Sequence, residues 1–524
     1  MASEGIVETS SSNSQGSSSG TSTIEVGYKL TIDEANLSDL SLARIFRVPK
    51  SLRDSSDNSY RPYLVSIGPF HYGKEELKHM EEFKSEAVRR MQKRIQRRDP
   101  CASIKSIVEG FVLPKHKEIR KFYGEHFLQF TAIELAWMVT RDACFIFEFL
   151  VNYLEKGLRD QPLYQEKVAE FGWMYDPVFD AAFQNPLTGK LMDDIFLFEN
   201  QLPLWVLQHL QVQMDGTDGT NLNLDDLIGL MLMGVVRHTI FLWYVQYGFS
   251  ECCEHLLEAL YTGMVGRTEL YFSREAVPLK ASSRNRMQIF FDKVVESGKG
   301  IYRRWRSLPS NTNSDELNSI LLLKLPTAVE LKRRGVKIFP VTKENAKKKS
   351  DELKEGFPAI MFIKFDEKTS TLYLPEVTLT PESNSVIRNF IAMELSLKEK
   401  YNPRPMTQFA LFMDELIDSE EDVAVLRKAE VIHNFYGSNV QVADHFNSLT
   451  KGIAPYSGCK VIDDVRIGLH KYTKRKYKIL WSEFMRVYFS KPWLLAGYIG
   501  AVLLLLMTVT QVVCLFVSCQ PHDS

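Results

Sequence analysis

Asp193 to Leu210 reads DDIFLFENQLPLWVLQHL. Between its polar ends the stretch is apolar, except for Glu199, Asn200 and Gln201. Polar groups inside a buried run cost free energy unless partners satisfy them. Pro203 disfavours helical geometry at Leu202 and fits a helix only in its first turn. ENQLP therefore reads as a break between two apolar helical segments. A break frees backbone N–H and C=O groups in the interior. Glu, Asn and Gln side chains can take them up. The triplet is expected to form an internal hydrogen-bonded corner before any catalytic role.

Other helices extend outward from this corner. Lys74 to Arg98 has strong helical propensity, with Leu77, Met80, Phe83, Ala87, Val88, Met91 and Ile95 near a 3.6 period. Thr131 to Lys156 is apolar almost all round, the pattern of a helix at the centre of a bundle. Glu134 and Arg141 lie close to one face of it and are placed to share a neighbour. Leu224 to Phe249 reads as a third core helix. Later, GVKIFPVT and PAIMFIKFDEKTSTLYLPEVTLT are rich in β-branched and aromatic residues, and DEKTS closes a hairpin. SLPSNTNSD is a loop. Helices return after Ser383. The expected class is α+β: a predominantly helical body with a small antiparallel β-sheet, plus one C-terminal transmembrane helix.

The two ends differ from the body. Residues 1–40 form a Ser-rich tail without the apolar mass to order itself. The tail has no signal-peptide pattern, and Ala2 stands where myristoylation needs glycine. Residues 41–465 form the body, 466–491 a basic segment, 492–518 the span and 519–524 a short tail. Trp493 to Val517 is uncharged and long enough to cross about 30 Å of hydrocarbon as a helix. Arg466, Lys471, Lys474, Arg475, Lys476, Lys478, Arg486 and Lys491 precede it, and only SCQPHDS follows. Positive charge stays on the cytosolic side, so the body is expected there, on a single-pass C-terminal anchor. Lys471, Lys474, Arg475, Lys476 and Lys478 are placed to touch anionic lipid.

Composition narrows function. The chain has 524 residues and a net charge of −1, which argues against a general nucleic-acid binder. Seven unevenly spaced Cys are not a secreted disulfide framework. Cys144 within CFIFEFL reads as a small buried hydrophobe. No zinc spacing, phosphate loop or nucleophile elbow occurs, so neither metal nor cofactor is expected. The polar residues open to a functional reading are His71, Asp142, Glu148, Glu199, Asn200 and Gln201. His71 follows the Gly68-Pro69 turn, where most histidines are exposed or hydrogen-bonded. Asp142 and Glu148 are about 120° apart around their helix and do not sit side by side. With Glu199 they can still converge across two helices as acids or bases, or they can satisfy helix ends and loop amides.

Six blocks in order resemble the plant DUF247 family, also called UPF0481 membrane proteins, from about Ile45 to Gln511. They are IFRVPKSLRDSSDNSYRPYLVSIGPFHYGKEELKHMEEFK, RDACFIFEFL, LFENQLPLWVL, LPTAVELKRRGVKI, the pair LYLPEVTLTPESNSVIRNFIAMEL and FMDELIDSEEDVAVLRKAEVIHN, and YFSKPWLLAGYIGAVLLLLMTVTQ. Ala143 stands where the family usually has Gly, and Tyr72 where a second His is common. The resemblance implies a plant membrane protein without an established biochemical activity. Some grass members are implicated in pollen self-incompatibility, which implies recognition. The expectation is recognition or signalling through an unknown protein partner, with the bilayer as the other partner and no nucleic acid. The alternative is an enzyme with a carboxylate-lined pocket in the helical body.

Overall fold

The computed structural model describes residues 43–54, 56–125, 127–158, 185–214, 253–265, 324–341, 363–402, 404–454, 459–474 and 492–518, with Leu224 and Ile228. The helix expected over Leu224–Phe249, apart from Leu224 and Ile228, the SLPSNTNSD loop and the Ser-rich tail lie outside the described residues.

The described body is mostly helical. α1 (Met80–Arg98) buries Met80, Ala87, Met91 and Ile95 at helical spacing, and opens with Glu81 and Glu82 at the positive end of its dipole. It packs along α2 (Ala132–Leu158), which is buried on nearly every side from Leu135 to Val151. Cys144 is fully buried among these apolar neighbours, and burial pushes its thiol up. α3 (Asn185–Ile195) ends before the ENQLP break. α4 (Leu204–Met214) starts just after Pro203 and packs against α2 and α1. α5 (Leu256–Val265) is buried along its whole length.

The sheets differ from expectation. β2 (Lys364–Asp366) and β3 (Thr371–Pro375) form the antiparallel hairpin, with Asp366 opposite Thr371. The DEKTS turn is held by Asp366, which accepts from the Lys368 amide at 3.0 Å and the Thr369 hydroxyl at 2.8 Å. β1 (Lys337–Val341), however, lies on the other side of β3 in parallel, so this sheet is mixed rather than antiparallel. Pro340 sits in this outer strand, the position where a missing N–H is tolerated. β4 (Val377–Leu379) pairs in parallel with β5 (Ile432–Asn434). Three helices separate them, the kind of crossover that parallel pairing requires. Alternation in the sequence marks strands but carries no direction of pairing.

Those helices are α6 (Pro381–Ser396), α7 (Pro405–Leu416) and α8 (Glu420–Lys428), followed beyond β5 by α9 (Asn439–Leu449) and α10 (Lys460–Thr473). Two of these starts have a visible cause. Arg404 takes a left-handed φ of 56°, Pro405 opens α7, and the freed amides of Met406 and Thr407 donate to buried Glu394 at 2.9 and 2.8 Å. Ser438 caps α9 through the Gln441 amide, while Gln441 reaches back to the Ser438 amide at 2.8 Å. α11 (Pro492–Ser518) contains Ala496–Val513, which is long and apolar enough to cross a membrane, with none of its residues buried. Thr508 and Thr510 return their hydroxyls to the carbonyls of Leu504 and Leu506 at 2.7 and 3.0 Å.

Two core histidines are electrically costly. His255 is fully buried, and its Nε2 has no hydrogen-bond partner among the described residues. Both ring nitrogens of His445 are in the same state. Burial holds each ring down to about 3. The unfolded chain therefore takes up protons as pH falls through about 6.5, while the folded chain does not. Their stabilising effect is complete above pH 6.5 and is lost progressively toward pH 3. Each ring is expected to cost about 2 kcal/mol between pH 7 and pH 5. In denaturant titrations of the detergent-extracted protein, His445→Leu should shrink the acid loss by about that amount. An unchanged pH slope would show that His445 titrates normally in the fold.

Candidate functional site

The site begins with a stretch of irregular chain in an unusual place. Residues 64–71, LVSIGPFH, have no helix or ladder, yet every one is buried. Irregular backbone normally runs over the surface, where water satisfies its polar groups. Here side chains replace the water. Asp194 accepts from three successive amides, Tyr63, Leu64 and Val65, at 2.8, 2.6 and 2.9 Å. Asn200 accepts from the Ile67 amide at 2.6 Å and donates to the carbonyls of Val65 and Asp194 at 3.0 and 2.9 Å. Asp142 takes the Gly68 amide at 2.8 Å. Lys84 donates to the Ser66 carbonyl at 2.6 Å and pairs with Asp142 at 2.7 Å. Further upstream, the Val48 amide donates to Glu199 at 2.6 Å.

The break residues therefore divide their work. Gln201 serves the corner itself. Its amide group donates to the carbonyls of Ile195 and Leu197 at 2.5 and 2.9 Å, and its oxygen accepts the Leu257 amide at 3.1 Å. Glu199 and Asn200 reach instead to chain more than 130 residues away. Gly68 is pressed against the corner and against Tyr123. Its φ is +70°, and a Cβ there would stand 2.6 Å from the Gln201 carbonyl oxygen and 2.9 Å from the Tyr123 hydroxyl. Only glycine fits.

His71 is buried beside Glu199, with Nε2 3.4 Å from Oε2, at ion-pair distance without hydrogen-bond alignment. Its Nδ1 meets Lys74 Nζ at 2.9 Å. Burial first, and then the Lys74 charge, lower the His71 pKa. A neutral ring then accepts from Lys74 at Nδ1 and carries its proton on the Nε2 that faces Glu199. Burial alone would raise Glu199; contact with His71, Arg53 and the Val48 amide outweighs it and holds the carboxyl below its usual range. Burial pushes Asp194 up to about 6 against the pull of its three amides, and pushes Asp142 up against Lys84.

Glu148 is not part of this group. It accepts from Arg94 with both oxygens at 2.8 and 3.2 Å, and stands 3.4 Å from Arg90, clamping α2 to α1. Among the described residues Glu134 and Arg141 share no polar partner: Glu134 accepts from Thr131 at its own helix start, and Arg141 pairs with Glu81 of α1 at 2.7 Å. Among the basic residues before the apolar helix, Lys471 and Lys474 are exposed at the end of α10, and Arg466 is buried against Glu415. Arg475, Lys476 and Lys478 lie outside the described residues. No cluster of three His, Cys, Asp or Glu suited to a metal occurs among the described residues.

Sequence reasoning missed Asp194, Lys84 and Arg53. Lys84 carried a signal, since it occupies the apolar stripe of α1 between Met80 and Ala87 and is 1% exposed. Asp194 adjoined the break but gave no hint of its distant amides.

Two substitutions test the arrangement. Asn200→Ala leaves the Ile67 amide and the Val65 carbonyl without this partner in the interior, while the Asp194 carbonyl keeps the Leu197 amide, and should cost about 3 kcal/mol. Gly68→Ala combines a left-handed φ with two sub-van-der-Waals contacts, and should cost about 3 kcal/mol. Both are read as lowered unfolding midpoints. Unfolding unchanged in Asn200→Ala would dismiss the internal network.

The chain also has known relatives. It is 25% identical to the Putative UPF0481 protein At3g02645 of Arabidopsis thaliana, over 92% of this chain and 91% of the relative. It is 25% identical to the UPF0481 protein At3g47200 of the same plant, over 89% of this chain and 85% of the relative. No solved structure matches the chain. The family model for DUF247, described as a plant protein of unknown function, matches residues 45–507, which takes in the buried segment, the corner and most of the apolar helix, and the chain belongs to that family.

Proposed function

We propose that the protein is a membrane-anchored recognition or signalling component that acts through contacts of its cytosolic body with other proteins. One observation carries this reading. Among the described residues Asp142, Glu148 and Glu199 share no partner: the first holds Gly68 and Lys84, the second Arg94 and Arg90, the third Val48, Arg53 and His71. Each is committed to holding the body together rather than converging with the others on open space. A carboxylate in that position serves as a strut. The enzyme alternative needs the three to meet in a cleft, and it draws no support from these pairings.

Anchoring is supported by α11, whose apolar stretch is exposed and has none of its residues buried against the other described residues. Exposed apolar surface on that scale calls for lipid or another apolar partner. The cytosolic placing of the body follows from the basic residues before the helix.

Two readouts test the proposal. In sealed plant microsomes carrying the full chain tagged at both ends, protease added outside should digest the body and spare the C-terminal tag. Protection of the body would reverse the orientation. Proximity biotinylation from the N-terminus should then give a neighbour set that persists when residues 492–518 are replaced by an unrelated tail anchor. Neighbours that follow the anchor instead of the body would overturn recognition by the body.

A further inference from the structure

α8 and β5 enclose a solvent-open groove of about 480 Å³. Its walls carry Arg427 and Lys428 from the last turn of α8, and Ile432, His433, Asn434 and Phe435 from β5 and the residue after it. No carboxylate lines it among the described residues. Arg427 is oriented by the Asn439 side chain at 2.6 Å. Phe435 is 72% exposed, an uncommon position for a large aromatic ring with no function.

The main chain of the groove is also unfinished. Among the described residues, β5 is one of two strands in its sheet and has only β4 beside it. The Val377 amide donates to the Val431 carbonyl, and the Phe435 amide donates to the Leu379 carbonyl, both at 2.8 Å. In a parallel pair, alternate residues bond to the neighbour. Residues 431, 433 and 435 therefore turn their main chain toward β4, and Ile432 and Asn434 turn theirs away, toward the free edge. An extended segment can pair with such an edge, its backbone supplying affinity and its alternate side chains specificity.

We propose that this groove docks an extended acidic segment of a partner protein, which adds a third strand beside β5 and sets carboxylates against Arg427 and Lys428. This deepens the recognition reading and rests on it. Charge selects the occupant. A second copy of this chain pairing through β5 would bring its own Arg427 and Lys428 against the first pair, a like-charge clash.

The test uses the full chain in detergent micelles and fluorescence anisotropy. The probe is a labelled peptide of about twelve residues alternating Glu and Val. Controls are the same peptide with Lys for Glu, and the acidic peptide N-methylated at alternate residues. The acidic peptide should bind, and both controls should fail. Arg427→Glu combined with Lys428→Glu should weaken binding by about tenfold or more. Because Arg427 also holds Asn439, unfolding of the double variant is measured alongside. If it falls, Lys428→Glu alone, an exposed position, carries the test with a loss of about threefold. No binding, equal binding of the N-methylated peptide, or binding indifferent to these substitutions overturns the groove proposal. So does concentration-dependent dimerisation that Phe435→Ala abolishes, since a second copy would then be the occupant. If the groove fails while the neighbour set still follows the body, recognition stands and its surface lies elsewhere.

Discussion

The fold depends on one constraint: a stretch of chain without regular structure is buried, and each of its amides needs an acceptor. Leaving a buried polar group unpaired costs about 1–3 kcal/mol, a large share of the stability of an ordinary domain. Residues 63–68 present five amides that are taken by Asp194, Asn200 and Asp142. The acceptors come from two separate parts of the chain, the long central helix and the stretch that runs from the last turn of α3 into the corner. Both must be in place before the segment can be buried, so the N-terminal part of the body and its middle are assembled as one unit.

The same constraint explains why charges are found so deep. Lys84 faces Asp142, and Arg53 faces Glu199, where apolar residues of similar size would pack at lower electrostatic cost. Apolar side chains, however, cannot read a register. The spacing of acceptors along 63, 64, 65, 67 and 68 matches one alignment of the segment; a slip by one residue would set Ser66 N–H against Asn200 and leave others unpaired. Gly68 adds a steric check at the end of the row, because any side chain there would meet Gln201 and Tyr123. Charge and shape together specify one threading at some expense in stability.

What could be read from the sequence was what is local. The periods of α1 and α2, the break at ENQLP and the DEKTS hairpin all follow from neighbours within a turn or two. Placing the three polar residues of the break inside the body also needed only local burial logic. The destinations of Glu199 and Asn200 are a different matter. Their partners lie more than 130 residues away, and nothing in the identity of Val48 or Ile67 marks its amide as needing an acceptor. Strand direction was hidden for a related reason: β1 and β3 alternate in the same way whether they run together or opposed. Charge at helical spacing misled as well. Glu134 and Arg141 suggested a shared partner, yet the neighbouring helix supplied Glu81 to one while the other closed its own helix start.

The polar centre also bears on the distant surface, through α6. Asn389 accepts the Phe198 amide at 2.8 Å beside the corner, and donates to the Ser59 carbonyl at 2.9 Å on the N-terminal segment. One residue earlier, Arg388 reaches Ser448 at the end of α9 at 2.6 Å. α9 packs on α8, whose last turn forms one wall of the β5 groove. Consecutive residues of α6 thus bond to the corner on one side and to the end of α9 on the other. Geometry of this kind fixes a surface in advance of binding, which lowers the ordering cost that a loosely held strand edge would incur when a partner docks. Under the docking proposed above, the buried carboxylates serve it at a distance, by tying together the body from which the groove is built.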